Sequence, residues 1–251
     1  MKDRVKNRSA SVRSRLTRLA RLQQCDVDRV FLQYMQERLL YRVAHSRYRN
    51  RFVLKGGLLI AALHGPRTRP TKDIDLLARH LHSDESEMTQ VFREIASIAE
   101  DDGVTFDPCS VCVERIAEQA RYSGMRVRLD CFLEQAHKTL QIDIGFEDIV
   151  FPRPVSMDYP SILDDEPSRI WTYTLESVIA EKFEAMLRFS HINSRFKDFY
   201  DVYWLSLNHG FDGRTLQEAV FETTSRRATP LERQPAVFDP EFAGDTGRAR
   251  Q

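Results

Sequence analysis

A chain of 251 residues and 29.3 kDa can bury a real core in one large domain or two small ones, so disulfides are not needed to hold it together. Its 37 basic and 37 acidic side chains cancel overall, yet residues 1–51 carry 14 basic side chains against 4 acidic ones, leaving an acidic remainder. That polarity suits a basic lobe for a polyanion beside an acidic body able to hold metal ions, and it equally suits a solvated basic face.

Cys25, Cys109, Cys112 and Cys131 form no secreted disulfide framework. No second Cys-x-x-Cys or nearby His pair completes a zinc site around Cys109 and Cys112, so all four read as reduced thiols. The polar, basic start MKDRVKNRSASVRSRL has no apolar stretch resembling a signal peptide. The longest apolar run, Leu58 to Leu63, is too short to span a bilayer, and a soluble cytoplasmic protein with no membrane partner is expected.

In chain order, residues 10–22 and 27–46 read as helices, the second with Val27, Val30, Phe31, Tyr34, Met35, Leu39 and Tyr41 in roughly helical register. From Phe52 the pattern changes to a short helix starting at Gly56-Gly57, a Gly/Pro/Arg loop, and a strand from about Thr71 to Leu77. A helix near Glu85 to Glu100 follows. The alternating runs Arg126 to Phe132 and Thr139 to Phe146, separated by LEQAHK, read as a hairpin or neighbouring strands. The prolines of FPRPVSMDYPSILDDEP forbid a central strand or a continuous helix, and the lobe boundary is placed there. Residues 175–190 and 197–208 read as two further helices, and the chain from about Thr229 is rich in Pro, Gly and charge and reads as a loose tail.

Side chains two apart on a strand point the same way, so Asp73 and Asp75 share a face while Ile74 and Leu76 turn to the core. Two such carboxylates repel unless a cation lies between them. Mg2+ suits them, with Mn2+ as a substitute, because a hard ion takes oxygen ligands and keeps positions open for phosphate. A strand end facing water would give the same Asp-x-Asp. Asp143, alone among apolar neighbours in LQIDIGF, is costly to bury unpaired, and three carboxylates converge if its strand lies beside the first. Gly56 and Gly57 allow close backbone approach at a helix start that favours an anionic phosphate, and Arg67, Thr68, Arg69 and Thr71 supply donors in the loop.

Downstream, Lys182 lies on the flank of an apolar stripe, one turn from both Val178 and Met186. It reads as a phosphate ligand or as a snorkelling structural lysine. Asp198 and Asp201, one turn apart, each suit orientation of Lys182 or of a substrate hydroxyl. Asp198 is preferred because the helix start stabilises its charge, a preference that an ordinary N-terminal carboxylate shares.

The order Gly-Gly, helix, loop, Asp-x-Asp, lone strand Asp resembles the nucleotidyltransferase superfamily that includes DNA polymerase β. The strings "RFVLKGG…GPRTRPTKDIDLL", "LQIDIGFEDIV" and "ESVIAEKFEAMLRFSHINSRFKDFYDVYWL" are together similar to the AbiEii/AbiGii toxin family, which includes the MenT-type toxins, from about Val12 to Leu207. The resemblance implies an α/β (α+β) fold: a nucleotidyltransferase-like mixed sheet flanked by helices, with a basic helical segment at the N-terminus and a helical C-terminal lobe. With the lobe boundary in the proline-rich segment, the basic entry and nucleotidyltransferase core fall in residues 1–160 and the helical lobe with its tail in 161–251.

It also implies the toxin of a toxin–antitoxin pair, which moves a nucleoside monophosphate from an NTP to an acceptor hydroxyl, in some members on tRNA. A cognate antitoxin from a neighbouring gene would be its partner. Position by position, Gly56 and Gly57 become the triphosphate cradle and Asp73 and Asp75 the metal carboxylates. Lys182 matches the family's later lysine, and the final acidic position falls within KDFYD. Transfer to a protein or small molecule, and a non-catalytic RNA-binding or partner-binding scaffold, are the alternatives.

Overall fold

In the computed structural model, which describes residues 7–65, 71–118, 122–163, 166–189, 196–232 and 235–238, the basic entry folds as two helices. The first, α1 (Arg8–Gln23), starts where the Asn7 side chain accepts from the Ala10 amide, and it buries Val12, Leu16 and Ala20 at four-residue spacing. Capped by Asp26, α2 (Val27–His45) is buried along most of its length.

Some of the entry's charge is spent inside. The buried Arg38 places Nε 2.6 Å from Asp102 Oδ2, and Arg42, only 2% exposed, places Nη1 2.7 Å from the same oxygen. Buried charge needs such a partner. Arg13 pairs with Glu134 at 3.2 Å, and Arg15 donates to the Leu163 carbonyl. Arg18 and Arg21 are exposed, and no ion pair of theirs is found among the described residues.

The elements that follow are β1 (Phe52–Lys55), α3 (Gly56–His64), β2 (Asp73–Ala78), α4 (Glu85–Ala96), β3 (Thr105–Phe106), β4 (Cys112–Glu118), β5 (Tyr122–Leu133), β6 (Ala136–Gly145), β7 (Val155–Tyr159) and β8 (Ser168–Thr172). The strands form one mixed sheet in the order β3-β5-β6-β2-β1-β8-β7, with β4 also paired to β5. Neighbouring strands run antiparallel in β5–β6 and β1–β2, and parallel in β2–β6 and β1–β8. The expected strands around residues 126–132 and 139–146 are thus the two arms of a hairpin. Helix α4 stops at Ala96, earlier than expected, with Ser97 as its C-cap.

Five strands were not anticipated: β1, β3, β4, β7 and β8. β7 lies inside the proline-rich segment as an edge strand, with Pro152 and Pro154 before it and Pro160 after it, where missing N–H donors cost no central ladder bond.

Chain contacts divide the protein into two units, Met1–Glu147 with Ser156–Thr172, and Asp148–Val155 with Tyr173–Gln251. In the second, α5 (Leu175–Phe189) packs with α6 (Phe196–Asn208) and α7 (Gly213–Arg226). The Asp212 side chain caps α7 by accepting from the Thr215 amide at 2.8 Å. No described helix is long and apolar enough to cross a membrane.

Candidate active site

In β2 the alternation works as the sequence requires: Ile74 and Leu76 are 1% and 2% exposed, while Asp73 and Asp75 lie half-buried on the other face. β6 repeats the pattern, burying Leu140, Ile142 and Ile144 and turning Gln141 and Asp143 the other way. The strands are parallel neighbours with Asp75 directly beside Asp143. One oxygen from each of Asp73, Asp75 and Asp143 lies within 4.8 Å of the others.

Each carboxylate is held by its surroundings. The Thr71 hydroxyl donates to Asp73 Oδ1 at 3.1 Å. Arg126, opposite Asp143 on antiparallel β5, grips it with two bonds, Nε to Oδ1 and Nη2 to Oδ2, both 2.8 Å. Gln141 adds a third at 3.2 Å. Hydrogen bonds from Arg126 to Asp143 come first in holding the Arg126 pKa above its ordinary value.

Asp75 packs against the start of α3. Gly56 has φ +66°, and a Cβ there would fall 2.0 Å from Asp75 Oδ2. Only glycine satisfies both the left-handed backbone and the contact. Burial first, then the charges of Asp73 and Asp143, push the Asp75 carboxyl up to about 6, against the pull of Lys55 and a bond from the Gly57 amide. Lys55 reaches this position because β1 pairs it with Asp75.

Such a cluster fits a hard divalent cation. Its donors are all carboxylate oxygens, they converge, and their mutual repulsion is what an ion would relieve.

The sequence matches the AbiEii family, described as the nucleotidyl transferase AbiEii toxin of a type IV toxin–antitoxin system, over residues 38–250. The chain belongs to the AbiEii family of nucleotidyltransferase toxins. Among solved structures, it is similar to MenT4, a nucleotidyltransferase toxin from Mycobacterium tuberculosis, with TM-score 0.55, 19% identity, and coverage of 88% of this chain and 74% of that one. It is also similar to JHP933 from Helicobacter pylori, with TM-score 0.48, 14% identity, and coverage of 79% and 72%. At 19% identity the likeness to MenT4 is one of fold. No curated protein matches the sequence.

In the second unit of this AbiEii-family chain, Lys182 on α5 meets both acids of α6. Its Nζ lies 2.7 Å from Asp198 Oδ1 and 2.8 Å from Asp201 Oδ2, and the two carboxylates are 2% and 1% exposed. The preference for Asp198 alone is thereby replaced by a pair, since residues three apart on a helix face the same neighbour. Also in this unit, Arg227 joins Asp148, Glu181 and Glu184 at 2.7 to 2.9 Å.

Arg67, with Thr68 and Arg69, lies outside the described residues. Neither Lys55 nor Arg126 stood out in the sequence as a site residue. Arg126 carried one available signal, its place in an alternating strand run upstream of the Asp143 strand, where a hairpin register could set an arginine opposite the lone acid.

Proposed function

We propose that this nucleotidyltransferase toxin transfers a nucleoside monophosphate from an NTP to an acceptor hydroxyl, with tRNA as the acceptor and pyrophosphate as the second product. The convergence of Asp73, Asp75 and Asp143 beside a glycine-led helix supports the reading most directly. Asp73 and Asp75 would hold Mg2+, or Mn2+, and Asp143 completes the carboxylate set. When bound, the ion supplies neutralisation of the triphosphate and Lewis-acid stabilisation of the departing pyrophosphate.

The chain's own residues do the positioning. Gly56 lets Asp75 lie against the backbone, where the Gly57 amide bonds it, and the remaining amides at the start of α3, with Arg67, are assigned as donors to the phosphates. The acceptor oxygen then bonds to the α-phosphorus, the bond to the bridging oxygen breaks, and the hydroxyl proton passes to solvent. Because phosphoryl-type transition states are loose, alignment and charge supply most of the acceleration. Lys182, held in place by Asp198 and Asp201, is assigned to the nucleotide phosphates. Residues 1–160 are assigned to the basic helical entry and nucleotidyltransferase core, and 161–251 to the helical lobe with its loose tail. The cognate antitoxin is the remaining partner, and the cytoplasm is the compartment that holds NTP and tRNA together.

Incubation with each α-labelled NTP, Mg2+ and total tRNA tests the reading. Label should move to RNA, and Asp75→Asn should slow that transfer about a thousandfold, a loss of roughly 4 kcal/mol in transition-state stabilisation. Label on protein or on a small molecule would reassign the acceptor. No transfer from any NTP to any acceptor would leave an RNA-binding or partner-binding scaffold.

A further inference from the structure

The run Arg47-Tyr48-Arg49-Asn50-Arg51, between α2 and β1, is fixed by its own backbone: the Arg49 amide donates to the Ser46 carbonyl at 3.2 Å and the Arg51 amide to that of Tyr48 at 2.7 Å. Its start is tied to α4, where Glu94 accepts from Arg47 Nη2 at 2.7 Å and from the Tyr48 hydroxyl at 2.9 Å. The charge of Arg47 is thereby met. Arg49 and Arg51 are exposed, and no ion pair of theirs is found among the described residues, although Arg51 Nη1 donates to the His80 carbonyl at 3.2 Å.

Strand pairing brings a third such arginine alongside. Beyond the Phe52–Ala78 pair of β1 and β2, the Arg79 amide donates to the Arg51 carbonyl at 2.8 Å, and Arg79 is likewise exposed with no ion pair among the described residues. From the other flank comes Trp171: parallel β8 sets it beside Val53, and its indole N–H donates to Asn50 Oδ1 at 3.1 Å. With its one donor satisfied, the ring is held in place and is still 37% exposed. Two acids on adjoining elements, Glu94 of α4 and Asp158 of β7, are already engaged by Arg47 and Arg169.

Three exposed guanidiniums and an anchored indole suit one chemistry. Guanidinium takes phosphate, and a fixed aromatic ring stacks on an unstacked base, which duplex RNA does not offer. The step from Asp75 to Arg79 spans roughly 13 Å of extended chain at about 3.3 Å per residue, and the buried pair Val53 and Leu77 lies between them. The patch is thus separate from the aspartate cluster, yet one RNA molecule can reach both. We infer that this loop, with Arg79 and Trp171, forms a second binding site, for an unpaired segment of RNA: Arg49, Arg51 and Arg79 hold phosphates and Trp171 stacks on a base. The inference rests on the reading of RNA as the acceptor.

Tryptophan fluorescence tests it without NTP or metal. The chain has 2 tryptophans, so Trp204→Phe leaves the signal to Trp171. In that background a mixed-sequence single-stranded RNA of about ten nucleotides should quench the emission, and a blunt RNA duplex of the same length should not. Trp171→Ala should weaken single-strand binding about fivefold or more with its salt dependence unchanged, and Trp171→Phe, which keeps a ring, should retain most of the affinity. Changing Arg49, Arg51 and Arg79 to Gln should flatten the log–log salt slope by roughly 0.7 per lost contact.

No quenching by single strands, equal quenching by the duplex, or a salt slope that the arginine changes leave as it was would each overturn the inference while leaving the transferase reading intact. Should Trp171→Ala not fold, the quenching and Trp171→Phe decide. A transfer assay that labels no RNA, beside an intact Trp171 response to single strands, would overturn the acceptor assignment and leave this site standing.

Discussion

Gly56 and Asp75 occupy space that only a glycine leaves free: a Cβ on Gly56 would lie 2.0 Å from Asp75 Oδ2 and 2.6 Å from its Cγ. Gly56→Ala must therefore displace the carboxylate, and it also asks an alanine to hold φ +66°, worth roughly 1–2 kcal/mol. A shift of an ångström at a reacting centre costs on the order of a hundredfold, so nucleotide transfer should fall at least about that far. Steady-state rates beside a melting curve check this. Transfer within threefold of wild type in a folded Gly56→Ala protein would detach Asp75 from the chemistry.

The raised Asp75 carboxyl makes a signed prediction for metal-free protein. A group that holds its proton more tightly when folded contributes most below its unfolded pKa, near 3.8, and that contribution is lost as pH rises through about 6. This is the reverse of the usual salt-bridged aspartate. In chelator, Asp75→Asn should be more stable than wild type at pH 7, and the gap should close toward pH 4. Melting temperatures measured across that range settle the sign, and a gap that widens on acidification would show Asp75 to be stabilised as an anion.

The ion pairs of Lys182 and the phosphate contact proposed for it cannot be separated by a single substitution. Lys182→Ala removes the ammonium from two buried carboxylates, which should cost about 3–5 kcal/mol of stability. In the triple variant Lys182→Met, Asp198→Asn, Asp201→Asn the buried charge is gone, so most stability should return while the NTP requirement stays high. If the triple variant recovers the wild-type KM for NTP, Lys182 is structural only.

RNA contact by the basic entry should rest on Arg18 and Arg21 rather than on Arg38 and Arg42, which Asp102 holds inside. Changing Arg18 and Arg21 to Gln should weaken tRNA binding and flatten its salt dependence by roughly 0.7 to 0.9 in log–log slope per lost contact. Binding titrations across a range of salt concentrations measure this directly. An unchanged slope would assign the exposed arginines to solubility.

Local pattern carries far in this chain. The alternation Asp73, Ile74, Asp75, Leu76 determines which side chains share a face whatever strand lies alongside, because the period of a strand is two. The helices α1, α2, α5 and α6 announce themselves through spaced apolar stripes. Asp143 stood out because a lone acid inside a buried run has no bland use.

The neighbours of these residues were decided by tertiary structure. β1 has four residues and β3 two, too few to show a period, and they become strands only because β2, β8 and β5 supply their hydrogen bonds. The placement of Lys55 beside Asp75, Asp143 beside Asp75, and Arg126 across from Asp143 depends on strand pairing. Of these pairings, β5–β6 joins neighbours in sequence, whereas the parallel β2–β6 contact spans an intervening helix and three strands, and no local pattern sets its register. The same holds for Lys182, whose apolar flank was legible, while its two carboxylates came from the packing of α6 against α5. Residue type and spacing determined which groups carry charge and which way they turn; long-range pairing decided what each charge meets, because a side chain's partner across a sheet or helix interface is set by register and packing that its own neighbours in sequence do not encode.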